Sequence, residues 1–325
     1  MPNLTRLACL FAAGLALSLV GVASGQSPRP TVAFDDALNT WFSDTNGLMT
    51  FDRCRVAFAP EGDINMLVAV VDPQGQVVGQ HLYSADVPHT QRDGVFANVR
   101  ADQGPLQTQL SEPGIYTIVW VIDGEPATRL PVMLRQTGAG DDPFNPQKTF
   151  AFDGLWRTHA YWEWHKTGND YPTPKLHYWV GGLDVPEGRR DDMFVAELIR
   201  DGEVVAHSVR TRGHLPSGKW RYDNITLAHP HEPKDAASAR PWTRDDLLGT
   251  DGKYEVRFTR QSDGQMIRSY DYVVADGQIV PLPETALDYE PRTDHILPRV
   301  QKRGGNTIEM IEATWIKDGG PGTAE

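Results

Sequence analysis

The sequence predicts an all-β protein made of two tandem Greek-key β-sandwiches that arise from an internal duplication. Three observations predict it. Residues 66–79 read MLVAVVDPQGQVVG and residues 193–206 read MFVAELIRDGEVVA. At one offset and without a gap, Met66, Val68, Ala69, Gly75, Val77 and Val78 meet Met193, Val195, Ala196, Gly202, Val204 and Val205. Each copy is a strand, a tight turn and a strand, the pattern of a β-hairpin. Weaker matches follow in the same order: Phe96, Asn98 and Val99 with Tyr222, Asn224 and Ile225, Gly114-Ile-Tyr116 with Gly252-Lys-Tyr254, and Asp123-Gly124 with Asp263-Gly264. Each half also holds about seven short strands with turn signals every ~8–12 residues, which is sandwich spacing.

Taken in order, Leu7 to Ala23 is a nearly unbroken apolar run behind Arg6, and Ala23-Ser24-Gly25 supplies small residues for cleavage. This reads as a signal peptide over residues 1–25, with Gln26 the first mature residue. The alternative is an uncleaved anchor, for which the run is short. Residues 26–47 read as a flexible N-terminal segment. The first sandwich spans 48–136, with strands expected at Leu48–Ala59, Asn65–Asp72, Gln76–Tyr83, Gly94–Arg100, Gly114–Asp123 and Thr128–Arg135. Ile115, Thr117 and Val119 alternate with Tyr116, Ile118 and Trp120, so that strand has two apolar faces and belongs in the middle of a sheet. The Gly-, Pro- and Asp-rich stretch 137–147 reads as a linker.

The second sandwich spans 148–280 and carries two insertions, between Trp164 and Asp192 and between Leu227 and Thr250. Inserted loops on a rigid scaffold are where function tends to sit. Residues 281–325 form a Pro- and charge-rich extension in which 308–316 reads as a last strand or a docking segment. Its Leu282-Pro-Glu-Thr-Ala286 lacks the apolar span and basic tail of a sortase signal.

The formal net charge is −12, and loss of the single positive charge of Arg6 makes it −13 in the mature chain. No basic cluster opposes it, so nucleic acid is not an expected partner. No later run is long and apolar enough to span a membrane. Of the two cysteines, Cys9 leaves with the leader, and Cys54 is then left without a disulfide partner. Its alternating surroundings read as a buried structural thiol. An exported chain without disulfides fits a bacterial envelope better than a stapled secreted domain.

The apolar strand, D-x-x-G turn, Val-Val strand and later G-x-Y with an Asp-Gly hairpin resemble the immunoglobulin-like and fibronectin-type-III-like modules of exported bacterial proteins. The resemblance covers both halves and implies a periplasmic or extracellular binding or structural module. Gly114 to Trp120, followed by Asp123-Gly124-Glu125, is also similar to the end of CopC-like copper-binding sandwiches. The N-terminal metal-binding histidine of that group is Gln26 here and no His follows the Asp-Gly, so the copper inference does not carry over.

Two constellations invite chemistry. Residues 158–165 read THAYWEWH, and as a strand they place His159, Tyr161, Glu163 and His165 on one face and Trp162 and Trp164 on the other. Neighbours i and i+2 lie ~6.6 Å apart, so Glu163 and His165 can chelate together while His159 is ~20 Å from His165. A further ligand for zinc or copper would come from His177, His229 or His231. The competing reading is a solvated, hydrogen-bonded face of a sheet packed by Trp162 and Trp164, with no cofactor. The second constellation is aromatic: Tyr161, Trp179, Trp220 and Trp242 are candidates for stacking on a carbohydrate, and Trp242, between Pro241 and Thr243-Arg-Asp-Asp, is expected to be the exposed one. Asp191-Asp192 and Asp245-Asp246 border turns and are expected to cap or solvate them. G-x-S-x-G, H-E-x-x-H, P-loop and G-x-G-x-x-G motifs are absent. The sequence therefore points to a non-catalytic exported module whose second domain contacts an envelope protein or a polysaccharide. The alternative is a metal-binding protein or metal-dependent hydrolase.

Overall fold

The computed structural model describes residues 30–32, 37–38, 41–43, 46–56, 64–85, 97–100, 106–138, 148–164, 173–181, 194–208, 220–230, 240–282, 300–303, 307–310 and 312–318. Its strands are β1 (Trp41–Ser43), β2 (Leu48–Phe51), β3 (Arg53–Val56), β4 (Ile64–Val71), β5 (Val77–Ala85), β6 (Ala97–Arg100), β7 (Leu106–Gln109), β8 (Gly114–Ile122), β9 (Glu125–Gln136) and β10 (Phe150–Gly154). They continue with β11 (His159–Trp164), β12 (Lys175–Gly181), β13 (Phe194–Arg200), β14 (Glu203–Ser208), β15 (Trp220–Ala228), β16 (Gly252–Arg260), β17 (Met266–Ala275), β18 (Gln278–Ile279), β19 (Val300–Arg303), β20 (Thr307–Met310) and β21 (Glu312–Asp318). Two short helices, α1 (Leu155–Thr158) and α2 (Arg244–Leu248), complete the described elements. The protein is all-β, as its alternating runs of β-branched and aromatic residues require.

In the first half, a seven-stranded sheet in the order β10-β9-β8-β4-β5-β6-β3 faces a three-stranded sheet β1-β2-β7. Between them lie Met49, Phe51, Val68, Tyr83, Ile118 and Trp120. A hydrogen bond of 2.7 Å between His81 Nε2 and the Thr108 hydroxyl joins β5 to β7 across the layers. β8 lies between β4 and β9, the central position that its two apolar faces demand. Asp123 and Gly124, at φ +50° and +89°, make the tight turn into β9.

The described residues of the N-terminal stretch are tied down where the sequence suggested a flexible segment. Val32 is fully buried, its N–H donates to the Thr128 hydroxyl (3.0 Å), and that hydroxyl donates back to the Val32 carbonyl (3.1 Å). Trp41–Ser43 pairs with β2. Apolar burial together with backbone pairing outweighs the loss of chain entropy there.

The second half differs from a two-sheet sandwich. Its strands run β16-β13-β14-β15-β12-β11-β21-β17, and β17 pairs again with β16, so eight antiparallel strands close into a barrel with β18 beside β17. Closure depends on β21, which pairs with β11 from His159↔Lys317 to Trp164↔Glu312 and with β17. Part of the segment read as an extension is thus a barrel stave. Inward residues Trp162, Tyr178, Phe258, Tyr254, Tyr270 and Tyr272 fill the interior. The cavity beside Tyr178 and Phe258 measures about 10 Å³, at the lower limit for one water. Eight strands leave an interior that side chains alone can fill.

The halves share an order of strands. β9-β8-β4-β5-β6-β3 in the first corresponds to β17-β16-β13-β14-β15-β12 in the second. Gly114 and Gly252 open β8 and β16 at φ +156° and +157°, and each crowds the turn of the matched hairpin. A Cβ on Gly114 would sit 2.5 Å from Pro73 Cγ, and one on Gly252 2.8 Å from Asp201 Oδ2. Two residues on, Tyr116 OH donates to the Glu112 carbonyl (2.8 Å) and Tyr254 OH to the Thr250 carbonyl (2.7 Å). The matched hairpins differ in their turns. Gly75 closes a longer turn in which the Asp72 N–H donates to the Gln76 carbonyl, while Asp201-Gly202 is a two-residue turn with φ +48° and +90°.

β10, expected to begin the second domain, pairs instead with β9 of the first sheet. The chain then passes through α1 into β11. Asp153 on β10 is hydrogen-bonded by Arg135 on β9 and by Arg157 on α1 (2.9 Å), which fastens this passage to the first sheet.

Candidate functional site

Strand alternation sends Ala160 and Trp162 into the barrel and His159, Tyr161 and Glu163 to its outside, as the sequence pattern predicts. The solvated outer face does not follow. His159, Tyr161 and Glu163 are 4%, 0% and 1% exposed. The reason is tertiary: Tyr161 and Trp179 belong to one continuous apolar cluster with Trp156 and the core of the first half, and Tyr222 and Trp315 pack on it. The outer wall formed by β21, β11, β12 and β15 is therefore an internal seam.

Within this seam the structure brings together two of the five predicted metal ligands. His177 pairs across the strands with Tyr161, and its diagonal neighbour is Glu163. His177 Nε2 lies 2.6 Å from Glu163 Oε2, and both side chains have no exposed surface. His177 Nδ1 is hydrogen-bonded to the Tyr222 hydroxyl. Tyr161 stacks on the imidazole, with centroids 4.7 Å apart and planes 3° from parallel, and Tyr222 lies on its other side at 5.4 Å. Nε2 and the Glu163 carboxylate are in ion-pair contact without hydrogen-bond geometry, whereas Nδ1 accepts from the Tyr222 hydroxyl or donates to it according to the tautomer. A carboxylate stripped of water is costly unless a cation or donors face it, and the imidazole supplies that partner.

The Glu163–His177 contact is a buried ion pair and not a chelate. Two ligand atoms on one tetrahedral metal stand about 3.3 Å apart at bonds of about 2.0–2.1 Å, wider than the 2.6 Å between Nε2 and Oε2. His229 is elsewhere, at the end of β15, where its Nε2 is 3.8 Å from Asp246 Oδ2. His165 and His231 lie outside the described residues. Among the described residues, no three His, Cys, Asp or Glu side chains gather as a metal-binding group.

The aromatic candidates are placed as plainly. Tyr161 and Trp179 are fully buried in the seam, and Trp242 is 5% exposed. Trp220 contributes its backbone to the β15–β12 ladder opposite Gly181. Trp242 is buried because its loop is tied down. Its N–H donates to the Leu227 carbonyl (2.8 Å), Pro241 bridges to Ala228, and the indole joins Leu247 and Leu248 of α2 in closing the end of the barrel. Thr243 and Asp246 cap α2 reciprocally: the Asp246 N–H donates to the Thr243 hydroxyl, and the Thr243 N–H and hydroxyl donate to Asp246 Oδ2. Burial works to raise the Asp246 carboxyl. The Thr243 hydrogen bonds, with His229 and Arg240 nearby, outweigh it and hold the group below the usual carboxylate value. The sequence assigns Asp245-Asp246 to capping or solvating a turn, and Asp246 caps α2.

The same corner is open to solvent. A concavity of about 450 Å³ lies between the β13–β14 hairpin and α2, lined by Arg200, Val204, Val205, Pro230, Asp245 and Asp246, with Trp242 in its wall. Sequence reasoning found Trp242 and the acidic pair but missed Arg200 and Val204, which join them through the fold of the hairpin. Cys54 is buried and in no disulfide.

No protein-family model and no curated protein matches the sequence. Among solved structures, a Bacteroides uniformis beta-glucuronidase is similar at 12% identity and a TM-score of 0.23, over 70% of this chain and 26% of that one. The match thus spans about a quarter of that enzyme, and at that score the likeness carries no argument.

Proposed function

We propose that this is an exported, non-catalytic binding or structural protein of the cell envelope or extracellular space. It is built from two immunoglobulin-like units that arose by internal duplication, and its second unit contacts an envelope protein or a polysaccharide. The shared order of six strands and the matched Gly-x-Tyr closures support the duplication. In this reading the second unit has drawn in β21 and closed its sandwich into a barrel. One observation carries the functional reading: Glu163 and His177 are sealed in the seam, whereas the concavity beside α2 faces solvent. A chain whose most reactive side chains are structural, with a solvent-facing hollow on a rigid barrel, is suited to holding a partner.

The test is co-sedimentation of the full chain with chitin, cellulose and peptidoglycan sacculi. Saturable retention on one of them is expected. Retention on none removes the polysaccharide and leaves an envelope protein as the partner class. A second reading is a zinc or copper site that uses Glu163 and His177, which lie side by side, with His165 or His231; it requires the pair to open from its 2.6 Å contact. Stoichiometric metal in the purified protein, lost in His177→Ala and His165→Ala, would establish that reading in place of the first.

A further inference from the structure

We propose that the concavity beside α2 is a binding site for uncharged saccharides. This inference rests on the reading of the protein as a binding module and names the ligand class of its open site. The volume of about 450 Å³ falls in the range of about 300–1,000 Å³ typical of small-molecule sites. Its surface has the three parts that a sugar ring needs. Val204, 46% exposed, with Val205 and Pro230, forms an apolar strip for a C–H face. Asp245 and Asp246 offer carboxylate acceptors to hydroxyls; the bonds from Thr243 fall on Oδ2 of Asp246, and Oδ1 takes none of them. Arg200 and Thr250, also in the lining, are residues that carry donor groups. Trp242, 95% buried, forms part of the wall.

The geometry selects among ligand classes. Asp245 and Asp246 are consecutive on a helix, and side chains at i and i+1 do not face each other. They do not converge on one cation, and spread along a rim they suit a ligand with several separate hydroxyls. The rim carboxylates of Asp245 and Asp246 face Arg200 in the lining and Arg240 and His229 nearby, so the charges are largely matched within the protein and an anionic sugar gains no net attraction there.

The experiment is calorimetric titration of the full chain with cellobiose, N,N′-diacetylchitobiose and digalacturonic acid, repeated on Asp245→Asn and Arg200→Ala. Both positions lie at the rim, and near-ultraviolet circular dichroism reports whether the barrel remains packed. The expected result is binding of at least one neutral disaccharide, weakened by about tenfold or more in each folded variant, a change of about 1.4 kcal/mol, with no binding of the diuronate. Failure of both neutral disaccharides to bind overturns the site, as does unchanged affinity in both variants. The wider reading is judged separately. If polysaccharide retention persists in Asp245→Asn and Arg200→Ala, the protein is a binding module whose contact lies elsewhere and the concavity is not its site.

Discussion

Tyr116 and Tyr254 each reach back four residues to a backbone carbonyl, 2.8 and 2.7 Å away, from strands that start at a glycine with φ near +156°. Such a bond satisfies a carbonyl at the edge of a core and is worth about 1 kcal/mol net. Tyr116→Phe and Tyr254→Phe should each lower stability by about that amount in urea unfolding, the first acting on the sandwich and the second on the barrel. Two unequal effects, one near zero, would count against equivalent roles. His81 makes a second prediction. Burial lowers its imidazole below the ordinary histidine value, so on acidification the unfolded chain takes up a proton that the folded chain refuses. Stability from this site is complete above about pH 6.5 and falls as pH drops through the window between 6.5 and the folded value. His81→Asn keeps a partner for Thr108 without titrating. Its unfolding midpoint should change less between pH 7.5 and 5.5 than that of the natural chain, and an equal change would refute the assignment.

Among the elements, β11 and β12 meet opposite demands on their two faces. One face fills a barrel with Trp162 and Tyr178, and the other carries Glu163, His177 and Tyr161 into a seam from which water is excluded. Removing one member of a buried pair leaves the other without compensation and costs about 3–5 kcal/mol, whereas replacing both by apolar groups is often neutral. Glu163→Leu and His177→Leu should therefore each destabilise by that range, and the double variant by clearly less than their sum. Additive effects, or single costs below about 1 kcal/mol, would show that the pair is not coupled. If the metal reading holds, the same variants also lose bound zinc or copper, so metal content separates the two roles of one pair.

In the whole molecule, the last described strand completes a barrel begun some 150 residues earlier. A chain ending at Met310 lacks β21, which leaves the edges of β11 and part of β17 without partners and the aromatic interior open on that side. Its near-ultraviolet circular dichroism should collapse and it should aggregate through the exposed edge. Unchanged dichroism and melting would mean that β21 is an accessory. Covalent continuity also matters at this scale, because β10 pairs with the first sheet before α1 delivers β11 to the barrel. The chain thus passes from the first sheet into the barrel through β10 and α1, beside the contacts of the seam.

What the sequence by itself determined was local and periodic. Residues 66–79 and 193–206 announce the repeated hairpin, the alternation in 114–120 places β8 in the middle of its sheet, and Asp123-Gly124 makes its turn. Period-two alternation also sorts Trp162 from Glu163 correctly, since successive side chains on a strand point to opposite faces. Only the tertiary structure decided what each face meets. Nothing in THAYWEWH tells that its polar side will be sealed against another core, that His177 will stand 2.6 Å from Glu163, or that Trp242 will turn under α2. The closure of the second unit was equally out of reach, because it depends on pairing residues 159–164 with residues 312–317. Hydrophobic period reports that a face is buried or polar, whereas contacts between distant segments arise from the packing of whole sheets, whose partners no local pattern names.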